Sequence, residues 1–450
     1  MLKIGNAQGF WGDSVDAPAT LLAQQPDLDY LTLDYLAEVS MSIMAAQRAK
    51  DPNLGYARDF VDVVKSLAPA WQAGSKCKLI SNAGGLNPRG CAEACASALR
   101  AARCTGLRIG VVTGDDVLSI LKSRPDDPLF KNLETGDPLA SVQDRIFTAN
   151  AYFGSAPIVD ALAKGADIVI TGRTADPSLV AAPAIFHYGW SWDRHDCIAG
   201  ALIAGHVIEC GAQVTGGIST NWLEVSSVEN IGFPFVEIDE DGTFVVTKPA
   251  GSGGCVTEQT VKEQLFYEIA DPARYISPDA CVSMMSLTVH DEGRDRVRVR
   301  GAKGSAATDS YKVSATYRDG YWAQGMLTIF GRDATRKARR CGEIVIQRVR
   351  KAGFDLERTN IECLGSGACG PGLFPEPKVL ETVLRISVAD PRKEAVERFS
   401  KELAPLVTSG PQGVTGFSAG RPRVSPVFGY WPCLIEKANA PHAVEVVEVL

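Results

Sequence analysis

Apolar runs of strand length recur through the first half of the chain, at 2–4, 30–33, 78–80, 107–112 and 167–170. Between them lie stretches whose apolar residues return every three to four positions, at 37–50, 59–71, 90–102, 158–164 and 198–213. Short runs alternating with helical periods predict βαβ units, hence a mostly parallel sheet with helices on both faces. The runs are continuous, as strands covered on both faces require. The stretch 123–150 breaks this rhythm with Pro125, Pro128, Gly136 and Pro138, and reads as an excursion or lid.

The rhythm changes after residue 275. Segments 296–300, 311–317 and 321–330 read as successive antiparallel strands, with Asp319-Gly320 as a two-residue hairpin signal between the last two. A helix over 335–352 and a strand over 358–364 follow, then a second round of strand 379–388, helix 391–403 and strand 429–434. Two β-rich rounds with one helix each predict an α+β domain, with a doubled ferredoxin-like sandwich as one form of it. A chain of 450 residues exceeds what one core of roughly 250–300 residues supports, so two domains are expected. They are an α/β domain over 1–285 and an α+β domain over 286–450.

Composition narrows the function. Lys and Arg total 46 against 53 Asp and Glu, a net charge of −7, with 45% hydrophobic residues. This is a globular balance, and the lack of basic blocks excludes nucleic acid as a main partner. No uncharged apolar run approaches the roughly 18 residues of a bilayer span, and the N-terminus lacks a signal-peptide pattern. The expectation is a cytoplasmic protein without membrane insertion, and a homo-oligomer as is common for soluble enzymes of this size. The 12 cysteines form no CxxC pair, so they read as buried thiols; Cys91 and Cys95, one helical turn apart, read as shared packing.

In an open parallel sheet, ligands bind beyond the carboxyl ends of the strands. Here those exits are Gly9 to Ser14, Asp34, Ser81 to Gly85, Thr113 to Asp116, and Thr171 to Asp176. Turn and cap preferences account for many of these Gly, Asp and Asn residues. They account poorly for Arg173, because a cation near a helix N-terminus opposes the macrodipole. Arg173 is therefore a candidate anion ligand, with Thr171 and Gly172 beside it and Asp176 to orient it. Asn82 could hold a substrate carbonyl, and the amides of Gly84 and Gly85 could donate to an anion. The loop of Lys248, Ser252, Gly253 and Gly254 before a helix at 261–269 makes a second candidate anion site, against a plain capping turn through Thr257 or Thr260. Gly365-Ser366-Gly367-Ala368-Cys369-Gly370 matches GxGxxG, but Pro371, Pro375 and Pro377 leave no room for the helix a dinucleotide site needs. In the small-residue helix 198–213, His206, Glu209 and Gln213 share one face. His206 and Glu209 can serve as an acid/base pair, as two metal ligands, or as a structural pair. Arg421, on a glycine-rich loop, could reach an acidic substrate or be merely solvated.

Five of these segments carry a resemblance: Ile80 to Pro88, Thr171 to Ser178, Glu209 to Gly217, Pro249 to Thr257, and Thr415 to Pro426. With the run from Glu263 to Pro272, they resemble the acyclic terpene utilisation family called AtuA over nearly the whole chain. The resemblance implies a catabolic setting in which citronellol- and geraniol-like terpenes are degraded through branched acyl-CoA thioesters. It implies no reaction and no catalytic residues, so the roles assigned here rest on spacing and strand exits. Together these readings predict an enzyme, a lyase or hydratase, acting on a branched or unsaturated carboxylate or its CoA thioester. Glu209, His206 and Asp176 would be its catalytic groups. No cofactor is expected, with CoA entering only as part of the substrate, and no metal site is assigned. A non-catalytic binding or scaffold subunit for acyl-CoA enzymes is the alternative, as is a metal-dependent enzyme using His206 and Glu209.

Overall fold

The apolar runs of the first half become neighbouring strands. In chain order the strands are β1 (Leu2–Asn6), β2 (Tyr30–Leu33), β3 (Lys78–Ser81), β4 (Arg108–Thr113), β5 (Ile146–Ala151) and β6 (Ile168–Ile170). All but β5 join one sheet in the order β1-β2-β3-β6-β4, with every neighbouring pair parallel. This computed structural model describes residues 1–373, 375, 377–416 and 420–450, so positions 417–419 of the segment from Thr415 to Pro426 lie outside the described residues.

The sheet does not stop at its parallel core. β7 (Phe235–Ile238) and β8 (Phe244–Thr247) form a tight hairpin, which forces antiparallel pairing, and β7 runs antiparallel to β1. Val297–Arg300 and Thr288–Asp291 extend that edge, and Ala443–Glu448 pairs antiparallel with β4 at the other. The result is a ten-stranded mixed sheet.

The helices that accompany it include α1 (Ala17–Gln24), α2 (Glu38–Arg48), α3 (Asp59–Gln72), α4 (Pro88–Ala101), α5 (Leu118–Ser123), α6 (Ala156–Ala163), α7 (Ser178–Tyr188) and α8 (His195–Ile208). One face carries α1, α3 and α4, whose apolar sides close over Leu31, Leu33, Leu79, Ile109 and Ile168. Cys91 and Cys95 sit in that core as buried free thiols. The other face carries α6, α7 and α8. Adjacent strands β3 and β6 therefore send their connections to opposite faces, into α4 and α7. That divergence opens a crevice at their carboxyl ends, where α/β sheets bind ligands. The excursion at 123–150 holds short 3₁₀ turns and β5, with Phe130, Leu139 and Ile146 buried.

The chain divides into two compact units, Met1–Thr316 with Tyr430–Leu450, and Tyr317–Gly429. This division falls later than residue 285, because the strands between 288 and 300 complete the large sheet. The expected hairpin at Asp319-Gly320 is absent. One continuous strand, Ser310–Phe330, runs through it. Gly320 does take a positive φ of 90°, but a Cβ there would lie 2.6 Å from the Asp390 carbonyl oxygen. The glycine serves close strand packing, and residues 321–330 pair in unbroken register with 381–390.

In the second unit the strand order is Arg358–Leu364, Glu381–Asp390, the Ser310–Phe330 strand, then Val414–Thr415, all antiparallel. Helices Ala334–Lys351 and Lys393–Ser400 bury Val345, Val349, Val396 and Phe399 against that sheet. This β-α-β-β-α-β order is the ferredoxin-like arrangement, present once. The two rounds seen along the chain are the halves of a single sandwich.

Candidate functional site

A cavity of about 550 Å³ in the first unit gathers residues from the loop after β6, the end of α8 and the segment around Tyr275. Four side chains proposed from the sequence line it: Arg173, Asp176, His206 and Glu209.

The β6 exit positions the first two. Gly172 is needed there, because a Cβ would lie 2.4 Å from Asp115 Oδ1. That close approach lets the Asp115 carboxylate accept the Arg173 amide at 2.8 Å and Asn150 Nδ2 at 2.9 Å. Burial pushes the Asp115 carboxyl up to about 6, against the pull of those donors. The Arg173 side chain is only 2% exposed. Its Nη1 donates to the Leu36 carbonyl at 2.6 Å and to Asp176 Oδ1 at 2.9 Å, and its guanidinium lies 4.1 Å from the centre of the Tyr152 ring. Burial opposes the Arg173 charge, and Asp176, Tyr152 and Asp34 outweigh it.

The end of α8 positions the other two. Every residue from Cys197 to Ile208 is buried, and Gly205 lets the Asp176-Pro177 turn approach, since a Cβ there would lie 2.5 Å from the Pro177 oxygen. The helix ends at Ile208, with Glu209 as its capping residue, earlier than the predicted 213. Asn6 Nδ2 donates to the Ile208 and Glu209 carbonyls, and Gln264 Nε2 to that of His206, so the last carbonyls are satisfied by side chains. Gln213 leaves the shared face and lies on a separate surface groove.

His206 Nδ1 and Glu209 Oε1 are 3.0 Å apart. Burial pushes the Glu209 carboxyl up to about 7, although His206 pulls it down. Burial works against a charged His206, but Glu209 outweighs it and raises the imidazole. The C-terminal end of the α8 dipole acts in the same direction. The Glu209 carboxyl therefore titrates near neutrality beside an imidazole that it holds above its ordinary range. His206 Nε2 and Glu209 Oε2 are both buried and have no hydrogen-bond partner. Such orphaned atoms are costly in a purely structural pair.

The other proposed residues lie elsewhere. Asn82 is buried and committed: its Nδ2 donates to Asp34 Oδ1 at 2.6 Å and its Oδ1 accepts the Tyr35 amide at 2.7 Å. Burial, then Asp176, holds the Asp34 carboxyl well above its ordinary range. Asn82 thus braces the β2 and β3 exits. Gly84 packs against the Thr171 oxygen, and the Gly85 amide donates to the Asn82 carbonyl. Thr171 is buried, with its hydroxyl bonded to the Gly172 carbonyl. The Gly253 and Gly254 amides donate to the Asn230 and Ser226 carbonyls, which closes them to a ligand. Lys248 is buried and donates to the Ser252 carbonyl at 2.8 Å, with Asp295 at 3.2 Å. The Ser252 hydroxyl donates to the Pro249 carbonyl. This loop is a self-satisfied cap for the helix Glu258–Phe266, with Thr257 accepting the Thr260 amide. Arg421 is exposed in the second unit.

Sequence reasoning missed Tyr152, Arg274, Tyr275 and Lys312, which also line the cavity. Nothing in their local patterns sets them apart, because they come from distant segments. Among the described residues no group of three or more His, Cys, Asp or Glu is placed to hold a metal ion. No described helix is long and apolar enough to cross a membrane.

Neither the curated proteins nor the solved structures contain a match to this chain. The model of the acyclic terpene utilisation family protein AtuA matches residues 2–446, nearly the whole length, and the chain belongs to that family.

Proposed function

We propose that this cavity is the active site of an enzyme that adds or removes water on a branched or unsaturated carboxylate or its CoA thioester. The observation that carries this reading is the His206–Glu209 pair. Its carboxyl titrates near 7, and it leaves one buried nitrogen and one buried oxygen without a hydrogen-bond partner on residues that line the cavity. A general acid/base works best when its pKa lies near the operating pH. In the eliminating direction, Glu209 Oε2 takes the proton from the carbon beside the carbonyl. His206 Nε2–H gives its proton to the departing hydroxyl. One C–H and one C–O bond break, a C=C bond forms, and water leaves. Arg173 and Asp176 hold the β6 exit beside the pair and supply a fixed field.

The test is Glu209→Gln, with turnover followed by mass spectrometry on branched acids and acyl-CoA thioesters. The variant should keep its fold and lose turnover by about 100-fold or more, the scale of one general acid/base. Full activity in the variant removes Glu209 from the mechanism. Wild-type protein that binds such compounds and returns them unchanged would mark a binding subunit instead.

A further inference from the structure

The cations on the cavity wall are not equivalent. Arg173 is held by Asp176 at 2.9 Å and His206 by Glu209 at 3.0 Å. Lys312 and Arg274 are exposed, and among the described residues neither has a carboxylate within ion-pair distance. Glu268, also on the wall, pairs with neither.

Lys312 is nonetheless held in place. Its ammonium lies 5.0 Å from the centre of the Tyr152 ring and 5.7 Å from that of Tyr430. Aromatic faces attract a cation without neutralising it. An ion pair would have cancelled the charge, and these rings keep it available. Tyr152 carries Arg173 as well, so one ring supports a compensated cation and an uncompensated one. The remaining wall is largely apolar, with Leu133, Ala175, Pro177 and Leu434.

We infer that the cavity seats the anionic end of its ligand on Lys312 and Arg274 at the exposed rim, with an apolar body running inward to the His206–Glu209 pair. The anion ligand is then Lys312, and Arg173 is a positioning residue that fixes Asp176 and the Tyr152 ring. This rests on the cavity being the ligand site proposed above. The anion is an oxyanion, either a free carboxylate or a phosphate of a CoA thioester.

Isothermal titration of the full chain separates the cases, with 3-methylbut-2-enoate, its CoA thioester and its uncharged methyl ester as probes. The acid or the thioester should bind more tightly than the methyl ester. Lys312→Met should weaken that binding by about tenfold or more, and change methyl ester binding by less than about twofold. Lys312→Arg should restore it to within about threefold. Loss on the acid identifies a carboxylate at the rim; loss on the thioester alone identifies a CoA phosphate. An unchanged Lys312→Met, a methyl ester that binds as tightly as both the acid and the thioester, or no binding of either anion overturns the inference. Turnover of the same probes is read separately, so wild-type protein that binds them through Lys312 and returns them unchanged overturns the catalytic reading and leaves this result intact.

Discussion

Replacing Glu209 with Gln should reverse the contribution that this one site makes to the pH dependence of stability in the first unit. In the wild type the Glu209 carboxyl rises from 4.5 when unfolded to about 7 when folded. The folded state therefore holds a proton that the unfolded chain has already lost. The stabilisation is complete below 4.5 and disappears as pH rises through about 7. At about 1.4 kcal/mol per pH unit, that interval corresponds to about 3 kcal/mol, most of it lost between pH 5 and 8. In Glu209→Gln the carboxyl is gone, and His206 loses the partner that raises it. Burial then dominates and lowers the imidazole below 6.5. The unfolded chain now binds the extra proton, so this position makes stability rise with pH up to about 6.5. Asp34, Asp115 and Asp279, also raised by burial, contribute equally in both proteins and cancel in the comparison. Urea unfolding followed by tryptophan fluorescence is suited to the measurement, because six of the seven tryptophans lie in the first unit. Equal pH slopes in wild type and variant would refute the proton sharing on which the acid/base reading depends.

Two further substitutions test how the surrounding loops work. Gly84→Ala places a Cβ 2.6 Å from the Thr171 carbonyl oxygen and 2.8 Å from Pro88 Cα, and neither backbone can yield cheaply. Thermal unfolding should show a loss of about 2 kcal/mol, and a variant as stable as wild type would show that the crevice is looser than described. Lys248→Met removes a buried ammonium that closes its own loop through Ser252 and Asp295, so it should cost about 1–2 kcal/mol of stability. It should leave the affinity for 3-methylbut-2-enoate and its CoA thioester within about twofold. A large affinity loss in a stable Lys248→Met would return that loop to the binding site.

The parts of the fold set by local pattern were readable from the chain. The parallel strands announce themselves as continuous apolar runs, and helices such as Asp59–Gln72 by their period. The antiparallel edges were not readable, because Phe235–Ile238 and Phe244–Thr247 are buried on both faces only after other strands flank them. Asp319-Gly320 misled because a turn signal is local and weak, whereas the register of 321–330 against 381–390 supplies many hydrogen bonds at once. At the site, His206 and Glu209 were legible because three residues along a helix is a fixed distance. Arg173 was legible because its charge conflicts with its place at a strand exit. Lys312, Tyr152 and Tyr430 were not, since only tertiary structure brings a lysine over two distant rings. The glycine-rich amides misled for a related reason: sequence shows which amides are free to approach a ligand, and not which carbonyls already hold them.

The chain leaves its first unit at Thr316 and returns at Tyr430, so the second unit is an insertion within the first. This orders events during synthesis. The strand Ala443–Glu448, which covers the open edge of Arg108–Thr113, emerges only after the whole inserted unit. At about 5–20 residues per second, the intervening segment delays its arrival by roughly 10 s. Through that interval the large sheet has an unpaired edge, and by its end the inserted sandwich has all the strands it needs to fold. The nascent protein is therefore open to edge-to-edge association until Ala443–Glu448 has emerged, and that strand acts as the latch that ends the exposure.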